Sequence, residues 1–595
     1  MPARAHWASP GDPGLVSLNH LLLWQRDAAP NRCLAAKREG RWWRASGAEC
    51  FAQIRALASR LDARPGDRVA ILSESRPEWL IADFACLASG VADVPVYPTL
   101  TAEQAAFILR DSRAVGAFVS TAEQLAKLES VRASLPELRW LCCFESQEWH
   151  ALLAPAPGAG EAGFMARLQA TRGEQLATLI YTSGTTGRPK GVRLTHANLC
   201  ANLNASTMDF HFSDQELRLS ILPLAHITER HLAYVDMLYD AATYFATSFD
   251  TVAADLIEVR PTVLVSVPRL FEKVAAAVRA QAPGGLQRRV LAWALAAGGR
   301  LSPYRLAGTA ASAPARLRWP AALADALVGR KLQAKLGGRL DKIIAGGAPL
   351  GKDLAEFFLA LGIVVDEGYG LTETSPVIAL NRPGARRPGS IGRPLPNVEI
   401  TFAPDGELRV RGPAVFAAYE GLPGETAAAF DDGWFKTGDI GRQDADGFLY
   451  ITDRKKDLIK TSGGKFIAPQ PIEAQLKLGG LIAEAVLVGD GRNYASALLV
   501  PNWDAVAARG LACPDRAAAC RRDDVRALFA AEVAAVNARL ARFETIKRFA
   551  LLPEPFTIAS GELTPTIKVR RRAVEQRYAA LIAAMYAEPG PGRDG

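Results

Sequence analysis

The sequence Tyr181-Thr-Ser-Gly-Thr-Thr-Gly-Arg-Pro-Lys-Gly191 decides how the rest of the chain is interpreted. It follows residues 175–180, an apolar and β-branched run that predicts a buried strand, and residues 192–199 then predict an extended segment leading into a helix. The stretch between them holds three glycines, four hydroxyl side chains and one lysine. Glycines let backbone N–H groups approach an anion closely, and hydroxyls and a lysine add donors and positive charge. The loop therefore predicts a phosphate-binding site.

A plain turn is the competing interpretation of this loop. The spacing differs from G-x-x-x-x-G-K-[ST], so the loop is not a Walker A motif. A Ser/Thr/Gly turn would explain residues 182–187 but not the Arg188-Pro-Lys-Gly191 that follows in frame. Phosphate binding is the favoured interpretation.

Length and composition bound the class of protein. A chain of 595 residues is too long for one hydrophobic core, and 49% hydrophobic and 22% charged residues are ordinary for a globular protein. Residues 15–24 lack a cleavage site, and no apolar run approaches the roughly 20 residues that span a bilayer. The eight cysteines show no metal-ligand spacing. We expect reduced thiols in a cytoplasmic protein.

The net charge of +8 is concentrated in one stretch. Residues 279–331 contain nine Lys/Arg residues and the single acid Asp325, with Trp293, Tyr304 and Trp319 between them. Two interpretations are open: peripheral contact with an anionic membrane, at its inner face, or a solvated arginine-rich helical segment. No motif supports nucleic-acid binding.

The chain divides by pattern into a large and a small domain. Strands and helices alternate in the first half, which predicts parallel βαβ units, and short alternating runs in residues 391–451 predict a β-rich subdomain. The predicted division is an N-terminal domain at 1–452, a hinge at 453–457, a C-terminal α+β domain at 458–587 and a disordered tail at 588–595.

Further motifs follow the phosphate loop in a fixed order. They are Ala345-Gly-Gly-Ala-Pro349 after a strand, Glu367-Gly-Tyr-Gly-Leu-Thr-Glu-Thr374 after the apolar residues 363–365, Trp434-Phe-Lys-Thr-Gly-Asp439, Asp453-Arg-Lys-Lys-Asp-Leu-Ile-Lys460 and Gly561-Glu-Leu-Thr-Pro-Thr-Ile-Lys568. Each motif alone could be explained by a structural role such as a turn or a helix cap. All of them in this order are very unlikely to occur by chance.

Together these motifs closely resemble the adenylate-forming superfamily of acyl-CoA synthetases, luciferases and peptide-synthetase adenylation domains. The resemblance covers about residues 16–572. The segments Leu222-Pro-Leu-Ala-His-Ile-Thr-Glu-Arg230 and Val265-Ser-Val-Pro-Arg-Leu-Phe-Glu272 resemble the long-chain fatty acid–CoA ligase branch most, although Thr228 stands where that branch would have an aromatic residue. The implied fold is α/β, with βα-layered subdomains and a β-rich subdomain followed by a small mobile α+β domain.

The resemblance also implies roles for individual residues. The predicted phosphate-binding residues are Thr182, Ser183, Gly184, Thr185, Thr186, Gly187 and Lys190. The predicted nucleotide contacts further along the chain are Gly347, Ala348, Pro349, Tyr369, Gly370, Thr372, Asp439 and Arg454. The predicted ligands of Mg²⁺ are Glu373 and Thr186. The predicted catalytic residues are Lys568, Thr372, Glu373, His226 and Lys190, and Gly463 and Gly464 would line a channel for coenzyme A.

The implied reaction needs charge stabilisation rather than a catalytic triad. A carboxylate with a pKa of about 4–5 is already ionised at neutral pH, so its attack on the α-phosphorus of ATP needs no general base. ATP, Mg²⁺ and coenzyme A are the implied cofactors and co-substrates. For His226, a packed core histidine is the competing interpretation. For Lys568, it is a lysine in a basic tail.

Three other functions remain open at this point. A fatty acyl-AMP ligase would load a carrier protein, but the insertion typical of such ligases is missing between Thr452 and Lys465. An acyl-CoA synthetase for a non-fatty carboxylic acid has the same motifs. A fatty-acid transport or binding protein with vestigial adenylation is the non-enzyme alternative, and Glu373, Asp439, Arg454 and Lys568 argue against it.

Overall fold

A computed structural model of the chain describes residues 15–25, 33–154, 161–183, 188–248, 250–282, 284–564 and 568–587. The strands within those ranges are β1 (Cys33–Arg38), β2 (Arg41–Ser46), β3 (Arg68–Leu72), β4 (Ala92–Val96), β5 (Gly116–Val119), β6 (Trp140–Cys143), β7 (Leu176–Ser183), β8 (Pro189–Thr195), β9 (Leu217–Ser220), β10 (Ala242–Phe245), β11 (Val263–Ser266), β12 (Lys342–Ala345), β13 (Asp366–Gly370), β14 (Val377–Leu380), β15 (Arg393–Pro394), β16 (Glu399–Phe402), β17 (Glu407–Arg411), β18 (Phe430–Asp431), β19 (Trp434–Gln443), β20 (Leu449–Arg454), β21 (Ile459–Lys460), β22 (Phe466–Ile467), β23 (Ile482–Val488), β24 (Ala495–Pro501) and β25 (Ile546–Leu551).

The α-helices over the same residues are α1 (Asn19–Gln25), α2 (Gly47–Arg60), α3 (Pro77–Ala88), α4 (Ala102–Asp111), α5 (Ala122–Glu129), α6 (Gln147–Leu153), α7 (Glu161–Ala170), α8 (His196–Thr207), α9 (Ile227–Tyr239), α10 (Val252–Val259), α11 (Pro268–Ala280), α12 (Gly285–Leu306), α13 (Ala315–Ala324), α14 (Arg330–Lys335), α15 (Lys352–Ala360), α16 (Pro423–Ala429), α17 (Pro469–Leu478), α18 (Trp503–Ala507), α19 (Arg516–Ala519), α20 (Asp523–Asn537), α21 (Arg571–Arg577) and α22 (Ala579–Ala587).

Two large sheets form the N-terminal part. One has the order β6-β5-β3-β4-β7-β8 and is parallel except for β8, as the strand–helix alternation predicts. The other has the order β15-β14-β13-β12-β11-β9-β10-β1-β2, with parallel strands in its centre and antiparallel strands at both ends. Helices cover both sheets and bury nearly continuous apolar strands such as β4 and β11.

Three smaller sheets follow along the chain. Strands β16 to β20 form an antiparallel sheet, which confirms the predicted β-rich character of residues 391–451. In the C-terminal part β21 and β22 form a hairpin, and β23, β24 and β25 form a mixed sheet with apolar clusters on both faces. The predicted α/β class is thus confirmed. The predicted tail at 588–595 lies outside the described residues.

Two local predictions need correction. The stretch 181–191 is not a free loop at its ends, because β7 and β8 pair as a hairpin with Thr182 opposite Lys190. The motif at 367–370 does not follow a strand at 363–365. It lies within β13 itself, because β13 pairs with β12 and β14 through these residues.

A buried ion cluster joins the two large sheets. The guanidinium of Arg230 on α9 is fully buried and donates to Asp83 at 2.5 Å, to Asp93 at 2.6 Å and to the hydroxyl of Thr178 at 2.7 Å. These partners lie on α3, β4 and β7. The hydroxyl of Tyr234 donates to the second oxygen of Asp83 at 2.9 Å. The cluster therefore fixes α9 against the strand that leads into the phosphate loop.

The basic stretch forms helices α12, α13 and α14, and a π-helical turn, Asp325–Gly329, joins the last two. Helix α12 packs closely on the end of α15, because a Cβ at Gly298 would lie 1.8 Å from the carbonyl oxygen of Ala360. The helices of this insertion therefore rest on the body of the protein. Among the helices of the described residues, none combines the length and the hydropathy that crossing a membrane requires. The eight cysteines form no disulfide.

Adding one methyl group at Gly298 should destabilise the protein by about 1–3 kcal/mol, because the contacting atom is backbone. The measurement is the unfolding temperature of Gly298→Ala by calorimetry. The neighbouring Gly299→Ala is the matched control, since nothing lies within 4 Å of its added Cβ and alanine is the better helix former. Equal melting of the two variants would contradict the close packing of α12 on α15.

Candidate active site

The predicted site residues gather where β11, β12 and β13 of the nine-stranded sheet end. Ser266 ends β11, Ala345 ends β12 and Gly370 ends β13. In open α/β sheets, ligands bind beyond the carboxyl ends of the strands. The loop after β12 is held there because the backbone N–H of Leu350 donates to the Glu367 carboxylate at 3.0 Å. Burial raises the pKa of this glutamate to about 7.

Lys568 comes from the C-terminal part and lies against this loop. A Cβ placed on Gly347 would be 3.9 Å from both Cε and Nζ of Lys568, and 3.8 Å from Cγ1 of Val267. Burial and then the nearby Arg454 lower the pKa of the Lys568 ammonium to about 8, while Asp439 opposes the shift. A lysine with such surroundings is a cation held ready for an anionic partner.

Tyr369, Asp439 and Arg454 form one connected group. The Tyr369 hydroxyl donates to Asp439 at 2.5 Å, and the Arg454 guanidinium lies 3.4 Å from the other carboxylate oxygen. Asp439 and Arg454 face each other on the paired strands β19 and β20. The aromatic ring, the acceptor and the donor are thus brought together from two sheets.

The tight turn Thr372–Thr374 presents Thr372 and Glu373. Gly370 allows this turn to fold back, because a Cβ there would lie 1.7 Å from the carbonyl oxygen of Pro376. The side-chain amide of Asn202 holds the far end by donating to the carbonyl oxygens of Thr374 at 3.2 Å and Val377 at 2.7 Å. The turn is therefore supported from α8.

Glu373 is half-buried, and its carboxylate accepts a hydrogen bond. The Tyr419 hydroxyl donates to it at 3.0 Å. Burial raises the pKa of Glu373, and the charges of Arg454 and Lys190 act in the opposite direction. A carboxylate among cations in this position suits a hard metal ion that is shared with phosphate oxygens.

Lys190 projects from β8 towards the same region. Its ammonium lies 2.5 Å from the carboxylate of Glu425 and 5.2 Å from the ring centre of Tyr419. Tyr419 thus contacts both Lys190 and Glu373. Gly184, Thr185, Thr186 and Gly187 lie outside the described residues, as does the side chain of Ser183.

His226 caps the first turn of α9. The backbone N–H of Thr228 donates to its Nδ1 at 3.2 Å, so the neutral ring carries its proton on Nε2. Burial and then the charge of Lys568 lower the pKa of His226 to about 3. The ring is a neutral hydrogen-bond donor near Lys568, and capping explains its place on an apolar turn.

Gly463 and Gly464 are apart from this group. They lie in the turn between β21 and β22, where the backbone N–H of Gly464 donates to Thr461 at 2.8 Å and that of Ser462 donates to Arg492 at 2.9 Å. Both contacts are within the C-terminal part. Lys568 thus lies beside the loop after β12, whereas these hydrogen bonds of the glycine turn are made within the C-terminal part.

Sequence reasoning missed Asn202, Tyr419 and Glu425. Asn202 lies in the middle of a helix, where its side-chain amide gives no signal in the sequence. Tyr419 and Glu425 follow no recognised motif, and their partners Glu373 and Lys190 lie 46 and 235 positions away. The spacing of polar residues along the sequence could not identify these pairs, because only the folded structure brings the partners together.

Comparison with known proteins agrees with this geometry. The AMP-binding enzyme family matches residues 24–420, and the AMP-binding enzyme C-terminal domain matches residues 456–589. The chain belongs to this family of AMP-binding enzymes. Among its relatives is the long-chain-fatty-acid–CoA ligase FadD15 of Mycobacterium tuberculosis, which is 39% identical over 92% of this chain and 93% of its own length.

A plant relative and solved structures extend the comparison. The peroxisomal long chain acyl-CoA synthetase 7 of Arabidopsis thaliana is 32% identical over 88% of this chain and 78% of its own. The adenylation domain of a carboxylic acid reductase from Segniliparus rugosus, solved with AMP and a co-purified carboxylic acid, superposes with a TM-score of 0.75. It is 22% identical and covers 99% of this chain and 96% of its own, which confirms the fold.

The described hydrogen bond to His226 makes a specific spectroscopic prediction. Its imidazole should stay neutral, with the proton on Nε2, as the pH falls from 8 to about 4, because its pKa is about 3. Nitrogen-15 NMR of histidine-labelled protein measures this, and the resonance is assigned by its loss in His226→Asn. A His226 signal that titrates between pH 5 and 7 would contradict the buried capping role.

Proposed function

We propose that this protein is an ATP-dependent acyl-CoA synthetase that activates a long-chain fatty acid as acyl-AMP and transfers it to coenzyme A. The observation that carries the proposal is Lys568, which the C-terminal domain inserts beside Gly347 while Asp439 and Arg454 lie within its electrostatic reach. The substrate class follows the names of the ligases that resemble this chain across nearly its full length. ATP and coenzyme A are substrates of this family.

In the first half-reaction, an ionised fatty carboxylate attacks the α-phosphorus of ATP. A P–O bond forms to the carboxylate, and the bond to the departing pyrophosphate breaks. No proton needs to move, so the protein has to offset repulsion between anions. We assign this task to Lys568 at the carboxylate and α-phosphate, with Thr372 at the α-phosphate and Lys190 at the outer phosphates.

Nucleotide binding uses the remaining residues of the site. Tyr369 would stack on the adenine beside Gly347, Ala348 and Pro349, with Gly370 below it. Asp439 and Arg454 would bind the ribose hydroxyls. Lys190 is paired with Glu425. Phosphates that bind Lys190 would compete with this carboxylate.

The residues present also fit a magnesium ion. Among the described residues, no group of three or more His, Cys, Asp or Glu side chains could hold a metal. Glu373 offers a single carboxylate near Lys190, which suits Mg²⁺ because that ion takes few protein ligands and keeps water and phosphate oxygens. We assign the ion to Glu373 and Thr186. When bound, it would neutralise phosphate charge.

The second half-reaction needs a different arrangement of the domains. The thiol of coenzyme A loses its proton to water, its sulfur forms a bond to the acyl carbon, and the bond from that carbon to the AMP oxygen breaks, so that AMP leaves with the former carboxylate oxygen. We propose that the domains are 1–452 and 458–587, that 453–457 is the hinge, and that rotation brings Gly463 and Gly464 to the acyl group. His226 would donate from Nε2 to the substrate oxygen in both steps.

The acyl chain would lie behind His226, along α9. Leu232 of α9 forms an apolar cluster with Val263 and Val265 of β11, and Phe212 and Ile344 pack against it. The same strands end at Ser266 and Ala345 beside the site. An acyl chain that enters at the site would run along these apolar side chains, which favours a fatty acid over a polar acid.

The test is pyrophosphate exchange with saturated acids of increasing length, followed by thioester formation with coenzyme A. We expect exchange that depends on a long-chain acid, and acyl-CoA as product. Exchange without transfer to coenzyme A would favour loading of a carrier protein. Exchange only with short or aromatic acids would exclude the fatty substrate, and no exchange at all would favour a binding protein.

Lys568 should separate the two half-reactions. We expect Lys568→Ala to slow acyl-AMP formation by about 100-fold or more, the typical effect of losing one charged stabilising donor, and to leave thioester formation from supplied acyl-AMP unchanged. The exposed Lys547→Ala of the same domain is the control. Parallel loss of both half-reactions would contradict the assigned role.

The same lysine predicts a pH dependence. Its pKa is about 8 and its cationic form is required, so kcat/KM for acyl-AMP formation should fall as the pH rises through about 8. Pyrophosphate exchange at low substrate concentration between pH 6.5 and 9.5 measures this. A rate that does not fall over that range would contradict the requirement for the protonated lysine.

We further propose that the basic insertion contacts the inner, anionic face of a membrane, where fatty acids partition. Trp319, Leu323 and Leu327 are 76%, 53% and 43% exposed, which is unusual for such large apolar side chains. Arg316 and Arg330 are exposed at the two ends of this stripe. An apolar centre between arginines matches the interfacial region of an anionic bilayer.

Co-sedimentation with vesicles tests this contact. Arg316→Gln/Arg330→Gln should weaken binding to anionic vesicles by roughly thirty-fold, since each of the two basic residues contributes about 1 kcal/mol. Trp319→Ser/Leu323→Ser should weaken it as well. The control is Phe543→Ser, because Phe543 is 43% exposed on the C-terminal domain. Binding that is equal for neutral and anionic vesicles would remove the proposal.

A further inference from the structure

Helix α11 has two faces with different partners. Leu270, Phe271 and Ala275 are buried in the core under the nine-stranded sheet. Arg269, Glu272, Ala276 and Arg279 follow each other at steps of three or four residues, so they form one stripe on a different side of the helix. Every member of this stripe contacts residues 477–484 of the C-terminal domain.

The contacts alternate in charge. The Arg269 guanidinium lies 3.1 Å from Glu484, and the Lys477 ammonium lies 3.1 Å from both oxygens of the Glu272 carboxylate. The large domain thus supplies one cation and one anion, and the C-terminal domain supplies their opposites. A shift by one helical turn would bring like charges together, so the pattern specifies one register.

Apolar and backbone contacts extend the same stripe. The Arg279 guanidinium donates to the carbonyl oxygen of Leu478, and a Cβ on Gly480 would lie 3.3 Å from Cβ of Ala276. Glu484 is only 9% exposed. Burial raises the pKa of Glu484, while Lys477 and Arg269 oppose the shift. Separation of the domains would part Arg269 from Glu484 and Glu272 from Lys477, and would expose these charges to water.

The stripe is connected to the site through α11 itself. This helix begins directly after Val267, which borders the same position beside Gly347 as Lys568 does. Docking of residues 477–484 on the stripe therefore sets where Lys568 enters. An error of about 1 Å at a reacting group is costly in rate.

We propose that Arg269, Glu272, Lys477 and Glu484 form an electrostatic latch that holds the C-terminal domain in the orientation for acyl-AMP formation. They are positioning residues, because none of them touches the reacting atoms and all act through Lys568. The latch opens when the domain rotates for thioester formation. This inference rests on the proposed function and assigns a role to the residues of the 265–272 motif.

The test is a charge exchange in the full-length protein. Glu272→Lys and Lys477→Glu should each slow acyl-AMP formation about ten-fold, within the usual range for coupling between sites, and leave thioester formation from supplied acyl-AMP unchanged or faster. The double variant Glu272→Lys/Lys477→Glu should recover most of the lost rate. Arg411→Glu is the control for Lys477→Glu, because both replace a cation with an anion. The ion pair that Arg411→Glu breaks, with Glu399, lies within one sheet.

Two outcomes would overturn the latch. One is an equal loss of both half-reactions in the single variants, which would indicate general damage to the fold. The other is a double variant no better than the single ones, which would show that the two charges do not act as a pair.

A crosslink tests the orientation independently of activity. Ala276→Cys/Gly480→Cys brings the two Cβ atoms to 3.3 Å, slightly closer than the range of about 3.5–4.5 Å found in disulfides, so a small backbone shift is needed for the bond. Gly480 has a φ of +75°, where a side chain is strained, so the single variant Gly480→Cys is the control for that strain. We expect oxidation to form the bond, to leave acyl-AMP formation intact and to block thioester formation until the bond is reduced. Adding Lys477→Glu should slow crosslinking. If Lys477→Glu leaves the crosslinking rate unchanged, the latch is refuted, whatever the substrate of the protein is. If the protein has no ligase activity but crosslinks as expected, only the proposed function is refuted.

Discussion

The N-terminal body depends on a buried ion cluster centred on the guanidinium of Arg230. This guanidinium is fully enclosed and bound by Asp83, Asp93, Thr178 and Tyr234, which come from both halves of the N-terminal body. Removing one partner from such a cluster costs about 3–5 kcal/mol, because an uncompensated charge remains inside.

The cluster also fixes the position of parts of the site. The Arg230 backbone N–H donates to the carbonyl of His226, one turn earlier on α9, and Thr178 lies on the strand that leads into the phosphate hairpin. The relative position of two parts of the site is therefore set by an interaction that contacts no substrate.

Much of this arrangement follows from the order of the motifs in the chain. The predicted strand–helix alternation of the first half is confirmed, because β3 pairs in parallel with β4 and β5, and β9 pairs in parallel with β10 and β11. Thr101 caps α4, with Gln104 completing a capping box. The errors have a common physical cause. Residues 363–365 are apolar but lie just before the strand, whereas the polar and glycine-rich residues 366–370 pair on both sides. Hydrogen bonding to neighbours here outweighs local propensity, and one sequence does not report those neighbours.

The site was harder to predict than the fold for the same reason. The motifs predict Lys568 and Asp439 as site residues. They do not predict Glu425, which pairs with Lys190, or Tyr419, which contacts both Lys190 and Glu373. Glu425 and Tyr419 acquire these roles only because the β-rich sheet packs on the β7–β8 hairpin, where Tyr419 bridges to Val192. Glu229 and Arg230, which end the 222–230 motif, have structural contacts in this fold. Glu229 is buried against Arg218, and Arg230 binds Asp83 and Asp93.

The lowered pKa of Lys568 has a consequence for the safety of the reaction. An acyl-adenylate is a mixed anhydride, and it transfers its acyl group to any unprotonated amine that reaches it. Burial that makes Lys568 a strong partner for an anion also increases its unprotonated fraction, so in the role proposed above Lys568 would also be a competing nucleophile towards the acyl-AMP. A lysine carried on a separate domain can withdraw once the intermediate exists. Mobility would then protect the enzyme from self-acylation, in addition to making room for the thiol.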